Sequence, residues 1–484
     1  MNRASAAIVK GLMRFGPSIL PFADAATEEL PMSRLLRLSL FQVTVGMAAV
    51  LLIGTLNRVM IVELAVPSWI VAIMLALPLL FAPFRTLIGF RSDNHRSVLG
   101  WKRVPFIWLG TMLQFGGLAI MPFALLILSG DTTGPMWLGQ AAAGLAFLLV
   151  GAGLHTVQTI GLALATDLAP ERVRPRVVAL LCAMLLAGMA LSALVFGVLL
   201  AHFSEVRLIQ VVQGAALLTI ITNSVALWKQ EPRGSASKPS NAPRVEFGRA
   251  WTAFAMASRT RRRLVATALG TAGFSMQDIL LEPYGGKILH LPVGATTALT
   301  AMLAIGGGVG LMIAARRLTN GADPHRVAGL GAVVGIVAFV AVIFAAPLES
   351  RNLFGIGVSL IGLGGGLFAH GTLTASMALA RPEDRGLALG AWGAAQATAA
   401  GLAIAFSGIL NDVGSSLAVQ GELGEALADP VTGYGLVYTT EIVLLFATLV
   451  ALGPLVRLPS ERAAPKPKGF DLSSKPGQIS GVLR

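Results

Sequence analysis

The chain has 484 residues, 55% of them hydrophobic and only 13% charged, with a mean hydropathy of +0.74. Soluble domains carry roughly 25% charged residues, so this chain has too little polar surface to cover a soluble fold of its length. A net charge of +13 would point to nucleic acid on a soluble protein, but here the basic residues sit in short segments between apolar blocks, where they mark the cytoplasmic face of a membrane and its anionic lipids.

Residues 1–34 hold Arg3, Lys10, Arg14, Arg34 and the pair Glu28-Glu29. They lack the long apolar run of a signal peptide, and 8–19 read as a short amphipathic helix lying on the membrane surface. Apolar blocks of about twenty residues or more follow, the length a helix needs to cross a bilayer core. They predict spans at 35–62, 68–88, 104–128, 136–167, 176–201, 206–228, 264–290, 292–315, 325–347, 352–380, 386–410 and 434–457. No segment shows the ten-residue apolar/polar alternation of a membrane β-barrel. The hydrophilic stretch 229–263 separates two sets of six spans, and its first part, rich in Pro, Gly and Ser, reads as a linker. The tail 458–484 carries Pro459, Pro465, Pro467 and Pro476 between lysines and reads as disordered. The expected organisation is therefore an N-terminal segment (1–34), a six-helix half (35–228), a central loop (229–263), a second six-helix half (264–457) and a tail.

With the N-terminus placed in the cytoplasm, the cytoplasmic segments hold 33 of the 37 lysines and arginines. The other side keeps Arg58, Arg207, Lys287 and Arg351. This asymmetry puts both termini in the cytoplasm and requires an even number of spans. The halves also echo each other. Asp93-Asn94-His95-Arg96 follows the second span and Asp323-Pro324-His325-Arg326 the eighth; Pro170-Glu171 follows the fourth and Pro382-Glu383 the tenth. Twelve spans in two related halves describe an all-α membrane protein of the major facilitator superfamily type. The single cysteine, Cys182, allows no internal disulfide and no multi-cysteine metal site, and reads as a small buried side chain.

Polar residues inside apolar spans are costly and mark protein interior or water. In the expected fold the first, fourth, seventh and tenth spans face a central cavity. These carry Gln42, Asn57 and Arg58; His155, Gln158, Thr159 and Asp167; Ser275, Gln277, Asp278 and Glu282; and His370, Thr372, Thr374 and Ser376, while the twelfth adds Glu441. Asp278 and Glu282 stand at i, i+4, which places two carboxylates on one face of a continuous helix. That pattern serves proton coupling or a polar ligand; alternatively, both brace a helix break at Pro283. His155 and His370 could each ligate a chlorin magnesium or simply pack with a hydrogen bond. The turn Gly89-Phe90-Arg91-Ser92-Asp93 resembles the facilitator loop motif G-x-x-x-D and reads as a structural latch or gate, with Lys102-Arg103 completing it late. The GLGGG run at 362–366 lies within a span and reads as close helix packing rather than a nucleotide loop. No P-loop, haem attachment motif or nucleophile–base pattern is present, which argues against an enzyme.

Several stretches carry a more specific likeness: LPFAD at 20–24, RLLRLSLFQ at 34–42, GTLNRVMIVE at 54–63, FAPFR at 81–85, RSD at 91–93, GWKRVP at 100–105 and FSMQDILLEPYGG at 274–286. Through them the chain resembles the bacteriochlorophyll delivery family, the PucC/LhaA group of the major facilitator superfamily, from about residue 20 to 457. The resemblance implies a non-enzymatic assembly factor in the inner (intracytoplasmic) membrane of a purple bacterium. Such a factor delivers or positions bacteriochlorophyll for light-harvesting antenna polypeptides. Its implied partners are those polypeptides, the reaction centre, the pigment synthesis or insertion machinery, and membrane lipids, with no nucleic acid, nucleotide or free metal. FGPSILP at 15–21 is closer to the branch that serves the core antenna, light-harvesting 1. Candidate pigment or cavity residues are His155, Gln158, Asp278, Glu282 and His370, and candidate structural or gating residues are Asn57, Arg58, Glu63, Arg85, Asp93 and Arg103. A proton-coupled solute transporter and a porphyrin flippase are the competing readings of the same fold.

Overall fold

The structure, a computed structural model, describes residues 30–80, 92, 101–129, 135–170, 173–231, 258–378 and 385–456. Among these residues there are helices and connections but no strand. The helices are α1 (Met32–Glu63), α2 (Ser68–Leu80), α3 (Val104–Leu128), α4 (Met136–Leu168), α5 (Arg174–Leu199), α6 (Glu205–Leu227), α7 (Ser258–Ser275, then a 3-10 turn Met276–Ile279 and a last helical stretch Leu281–Lys287), α8 (Val293–Thr319), α9 (Pro324–Ala345), α10 (Arg351–Ala378), α11 (Arg385–Val419) and α12 (Val431–Leu452). Among the described residues eleven of them are long and apolar enough to cross a membrane, and α2 is described over a shorter stretch. Their outward faces are apolar too: Phe123 on α3, Leu191 and Val198 on α5, Val337 on α9 and Val450 on α12 are exposed. Helices apolar on every face keep their backbone groups satisfied internally and are at home in lipid. The chain is a multi-pass membrane protein.

Odd-numbered helices finish at one end of the bundle, called the outer end here. Helices α1–α6 form one half, with α1 against α4, α5 and α6 and α3 against α4 and α6. In the other half, α7 packs on α11 and α12, and α10 on α8 and α9. The halves meet through α5 on α8 and α2 on α11. Between lipid-soluble helices there is little hydrophobic drive, so contact depends on close backbone approach. The sequence provides it with small residues. Gly306 and Gly310 of α8 face Gly362 and Gly366 of α10, and a Cβ on any of them would run into the opposite backbone. The GLGGG run is therefore a helix contact, as its place in a span predicts.

Two boundaries differ most from the sequence reading. α7 begins at Ser258 rather than 264, so Arg261–263 belong to its first turns, and Arg262 reaches the carbonyls of Val450 and Ala451 at the end of α12. α11 runs to Val419 instead of stopping near 410. Asn411 and Asp412, which look like a polar helix end, are held inside it by partners on α2: Asn411 Nδ2 donates to Ser68 Oγ (3.3 Å) and the Trp69 N–H to Asp412 Oδ2 (2.9 Å). The expected surface helix at 8–19, most of the central loop, the C-terminal tail, and Arg85 and Asp93 lie outside the described residues.

At the inner end Arg103 is buried. It donates to Asp167 Oδ2 (3.0 Å) and to Ser92 Oγ (2.6 Å). Asp167 is thus a latch residue at the end of α4 rather than a cavity residue, because its carboxylate is engaged by the start of α3. The same start is capped from a distance: the Glu231 carboxylate accepts the N–H groups of Lys102, Arg103 and Val104 at 2.8–3.0 Å. These are the donors a helix N-terminus leaves unsatisfied, and a carboxylate also suits its dipole. In the second half Asp323 caps α9 through the His325 N–H (2.8 Å), which gives the Asp-x-His-Arg echo a local physical role.

Candidate functional site

The outer half of α1 and the broken part of α7 form one buried polar junction between the halves. From Val50 α1 winds with the wider π-type hydrogen bonding, through Val50–Leu56 and Val59–Glu63, a deviation from α-geometry that often accompanies functional sites. α7 breaks at Met276–Ile279 and resumes at Leu281 with Pro283 in its first turn, where the missing proline N–H costs nothing. A break inside a membrane leaves backbone groups that side chains must satisfy. Here Glu441 of α12 accepts the Gln277 N–H at 2.7 Å, and Asn57 of α1 donates to the Asp278 carbonyl at 3.1 Å. Asn57 Nδ2 also donates to the Ile53 carbonyl on its own helix.

Beside the break the two helices interlock. Arg58, 4% exposed, pairs with Glu63 on its own helix and donates to the Leu291 carbonyl at 3.3 Å. Its guanidinium lies over Gly286, and the Glu282 carboxylate lies over Gly54. A large polar residue thus faces a glycine on the opposite helix, four residues apart on each. Glu282 accepts a 2.6 Å hydrogen bond from Thr300 of α8 and feels the Arg58 charge. One layer further, Thr55 and Thr297 share a hydrogen bond across the halves (3.4 Å). These hydrogen bonds between the halves, together with the two α2–α11 bonds, lie toward the outer end.

An aromatic cluster fixes the broken helix within its own half. Tyr284 packs against Phe354, Tyr434 and Tyr438 with ring centroids 5.3–5.6 Å apart, and its hydroxyl donates to the Val342 carbonyl (3.1 Å). Edge-on aromatic contacts of this kind combine burial with fixed geometry.

The structure corrects the pairing of Asp278 with Glu282. The i, i+4 relation holds only on a continuous α-helix, and the 3-10 turn lies between them. Asp278 is half-buried and accepts from Gln277 Nε2 (2.5 Å), whereas Glu282 is buried against α1 and α8. The backbone groups at the break are met instead by Glu441 and Asn57. Chemical capacity remains: the second carboxylate oxygens of Glu282 and Glu441, Asn57 Oδ1 and Arg58 Nε are buried without a hydrogen-bond partner. Unmatched polar atoms of this kind are where a proton or a polar ligand would bind.

Of the sequence candidates, Asn57, Arg58, Glu63, Asp278 and Glu282 come together here. His155 and Gln158 on α4 and His370 on α10 are half-buried and stand outside the junction, toward the inner end of their helices. No group of three or more potential metal ligands occurs among the described residues. Thr300 and Thr297 carry no sequence signal, since threonine is unremarkable in an apolar span. Glu441 does: it is a lone carboxylate in its span.

The profile of the PUCC protein family matches residues 55–459. The chain is 56% identical over 418 residues to Protein PucC of Rhodovulum sulfidophilum, covering 85% of this chain and 92% of the relative. It is 55% identical over 440 residues to an uncharacterized protein in the puhA-bchM intergenic region of Rhodobacter capsulatus, covering 90% and 92%. Among solved structures it resembles a bacterial homolog of the human lysosomal transporter Spinster in an inward-facing, unoccupied conformation. The TM-score is 0.64 at 14% identity, over 87% of this chain and 95% of that one. The fold is the major facilitator fold expected from the two six-helix halves.

Proposed function

The chain belongs to the PUCC protein family, and on that premise we propose that it is a non-enzymatic assembly factor for light-harvesting antenna complexes of a purple bacterium. It delivers or positions bacteriochlorophyll for antenna polypeptides in the inner membrane, with both termini in the cytoplasm. Its client is the core antenna, light-harvesting 1, as for the LhaA type. The family match over 55–459 carries this reading. It includes 55–63 and 274–286, which fold against each other as the polar junction. A chlorin is large and apolar and needs a greasy groove with few polar groups; His155 or His370, half-buried on α4 and α10, would offer an axial ligand to its magnesium. Antenna polypeptides would dock against the small-residue and apolar helix faces. The client assignment rests on FGPSILP at 15–21.

A second reading, proton-coupled transport of a small solute, is favoured by the buried carboxylates with unpartnered oxygens and by the fold, which by itself does not fix function. Asp278→Asn combined with Glu282→Gln separates the two. The assembly reading predicts that this variant stays in the membrane at normal level while assembled antenna, read from near-infrared absorption of whole membranes, falls severalfold. Normal antenna in that variant removes the junction from the assembly mechanism.

A further inference from the structure

Glu441 stands in the middle of α12 and is 0% exposed. One of its oxygens accepts the Gln277 N–H at the break of α7 (2.7 Å). A neutral acceptor would serve that N–H as well, so the break alone does not account for a carboxylate here. The other oxygen is buried without a hydrogen-bond partner. Gln277 joins Glu441 to a second carboxylate: its Nε2 donates to Asp278 Oδ1 (2.5 Å) and to the Phe274 carbonyl (3.2 Å). Asp278 and Glu441 also interact electrostatically. The amide oxygen of Gln277, a residue 2% exposed, is likewise buried without a partner.

No basic side chain answers these two carboxylates. Neither Asp278 nor Glu441 has a lysine, arginine or histidine acting on it. Arg58 of α1 pairs with Glu63 and acts on Glu282. Lys287, at the end of α7, interacts with Asp412 of α11, which also interacts with Tyr434. On α12 Tyr438, one turn before Glu441, is in electrostatic reach of it, and its hydroxyl too is buried without a partner. Tyr284 of α7 donates its hydroxyl to the Val342 carbonyl. α2 has no titratable residue, and α9 and α10 bring Phe339 and Phe354 against the tyrosines. A carboxylate left unpaired inside a membrane protein is costly, and such residues mark the place of an ion or a proton. The unpartnered oxygens of Glu441 and Gln277 are acceptors only. What the group lacks is positive charge, which water does not bring.

We propose that Asp278, Gln277 and Glu441 form a binding site for one monovalent cation, a proton or a sodium ion, at the break of α7. Glu441, fully buried, is its seat, and half-buried Asp278 is its more accessible member. A proton resides on the free oxygen of Glu441; a sodium ion takes oxygens from the three side chains. Such a site fits an assembly factor and a transporter alike.

Two measurements on the purified full-length protein test this and tell the cations apart. In the first, thermal unfolding is followed as sodium replaces choline at constant ionic strength. In the second, infrared spectra at neutral pH are searched for the carbonyl stretch of a protonated carboxyl group. The expected result is a signal in one of them, a midpoint raised by sodium or a protonated-carboxyl component, that Glu441→Gln removes. The glutamine keeps an oxygen for the Gln277 N–H, so the break stays satisfied. Asp278→Asn, which leaves Glu441 in place, raises the cation concentration needed for half-saturation about tenfold, the effect of one charge-assisted contact. Wild-type protein with neither signal overturns the proposal. So does a signal that persists in Glu441→Gln or, where that variant does not fold, one that Asp278→Asn leaves unmoved.

Discussion

Glu63→Gln is expected to destabilise the protein by about 3 kcal/mol, the lower end of the cost of stranding one partner of a buried ion pair. Arg58 is 4% exposed and takes its main compensation from Glu63, whose own side chain is 36% exposed. Removing the carboxylate leaves the guanidinium in a low-dielectric site with the Leu291 carbonyl and the more distant influence of Glu282. Glu63, in contrast, lines a small cavity of about 140 Å³ with Ser129 and Glu205, so its carboxylate is the easier one to leave alone. The asymmetry is testable in detergent by thermal unfolding. Glu63→Gln should lower the midpoint more than Arg58→Met, and the double variant should recover much of the loss. A double variant as unstable as Glu63→Gln would show that the pair does not hold the junction.

Gly54→Val is expected to force α1 and α7 apart. A Cβ at this position already falls on the Glu282 carboxylate and 2.9 Å from Thr300 Oγ1, and overpacking of this kind costs about 1–3 kcal/mol. The obstacle is a side chain rather than backbone, so it can be removed. In the background Glu282→Ala the same glycine substitution should cost at least about 1 kcal/mol less, the coupling expected of residues in direct contact. Simple additivity in this double-mutant cycle would place Glu282 away from Gly54. Antenna assembly should follow the same order, with Gly54→Val the most impaired, if the junction sets how the halves move against each other.

The membrane fold was legible because lipid imposes a simple rule. Each span must be an apolar run of about twenty residues, and the lysines and arginines sort to one side. What the rule does not convey is where polar residues continue a helix. Asn411 and Asp412 look like an end, and only their partners Ser68 and Trp69 on another helix show that α11 goes on. The junction was half legible. Asn57, Arg58, Glu63, Asp278 and Glu282 stand out as polar residues in apolar spans, but spacing along the chain treats α7 as continuous and puts Asp278 and Glu282 on one face. Pro283 signals the break, while the 3-10 turn that separates Asp278 from Glu282 is set by Glu441 and Asn57 from α12 and α1. Glu231 shows the same limit at the inner end: a cap that arrives from 127 residues away leaves no local pattern at the helix it caps.

The most direct test of the account is purification of the tagged protein in mild detergent from phototrophically grown cells, with an absorption spectrum and identification of the proteins that come with it. The account predicts bound bacteriochlorophyll together with core-antenna or reaction-centre subunits. A colourless protein without antenna partners, isolated while antenna assembly is active, would contradict it and turn the same junction into the coupling site of a transporter.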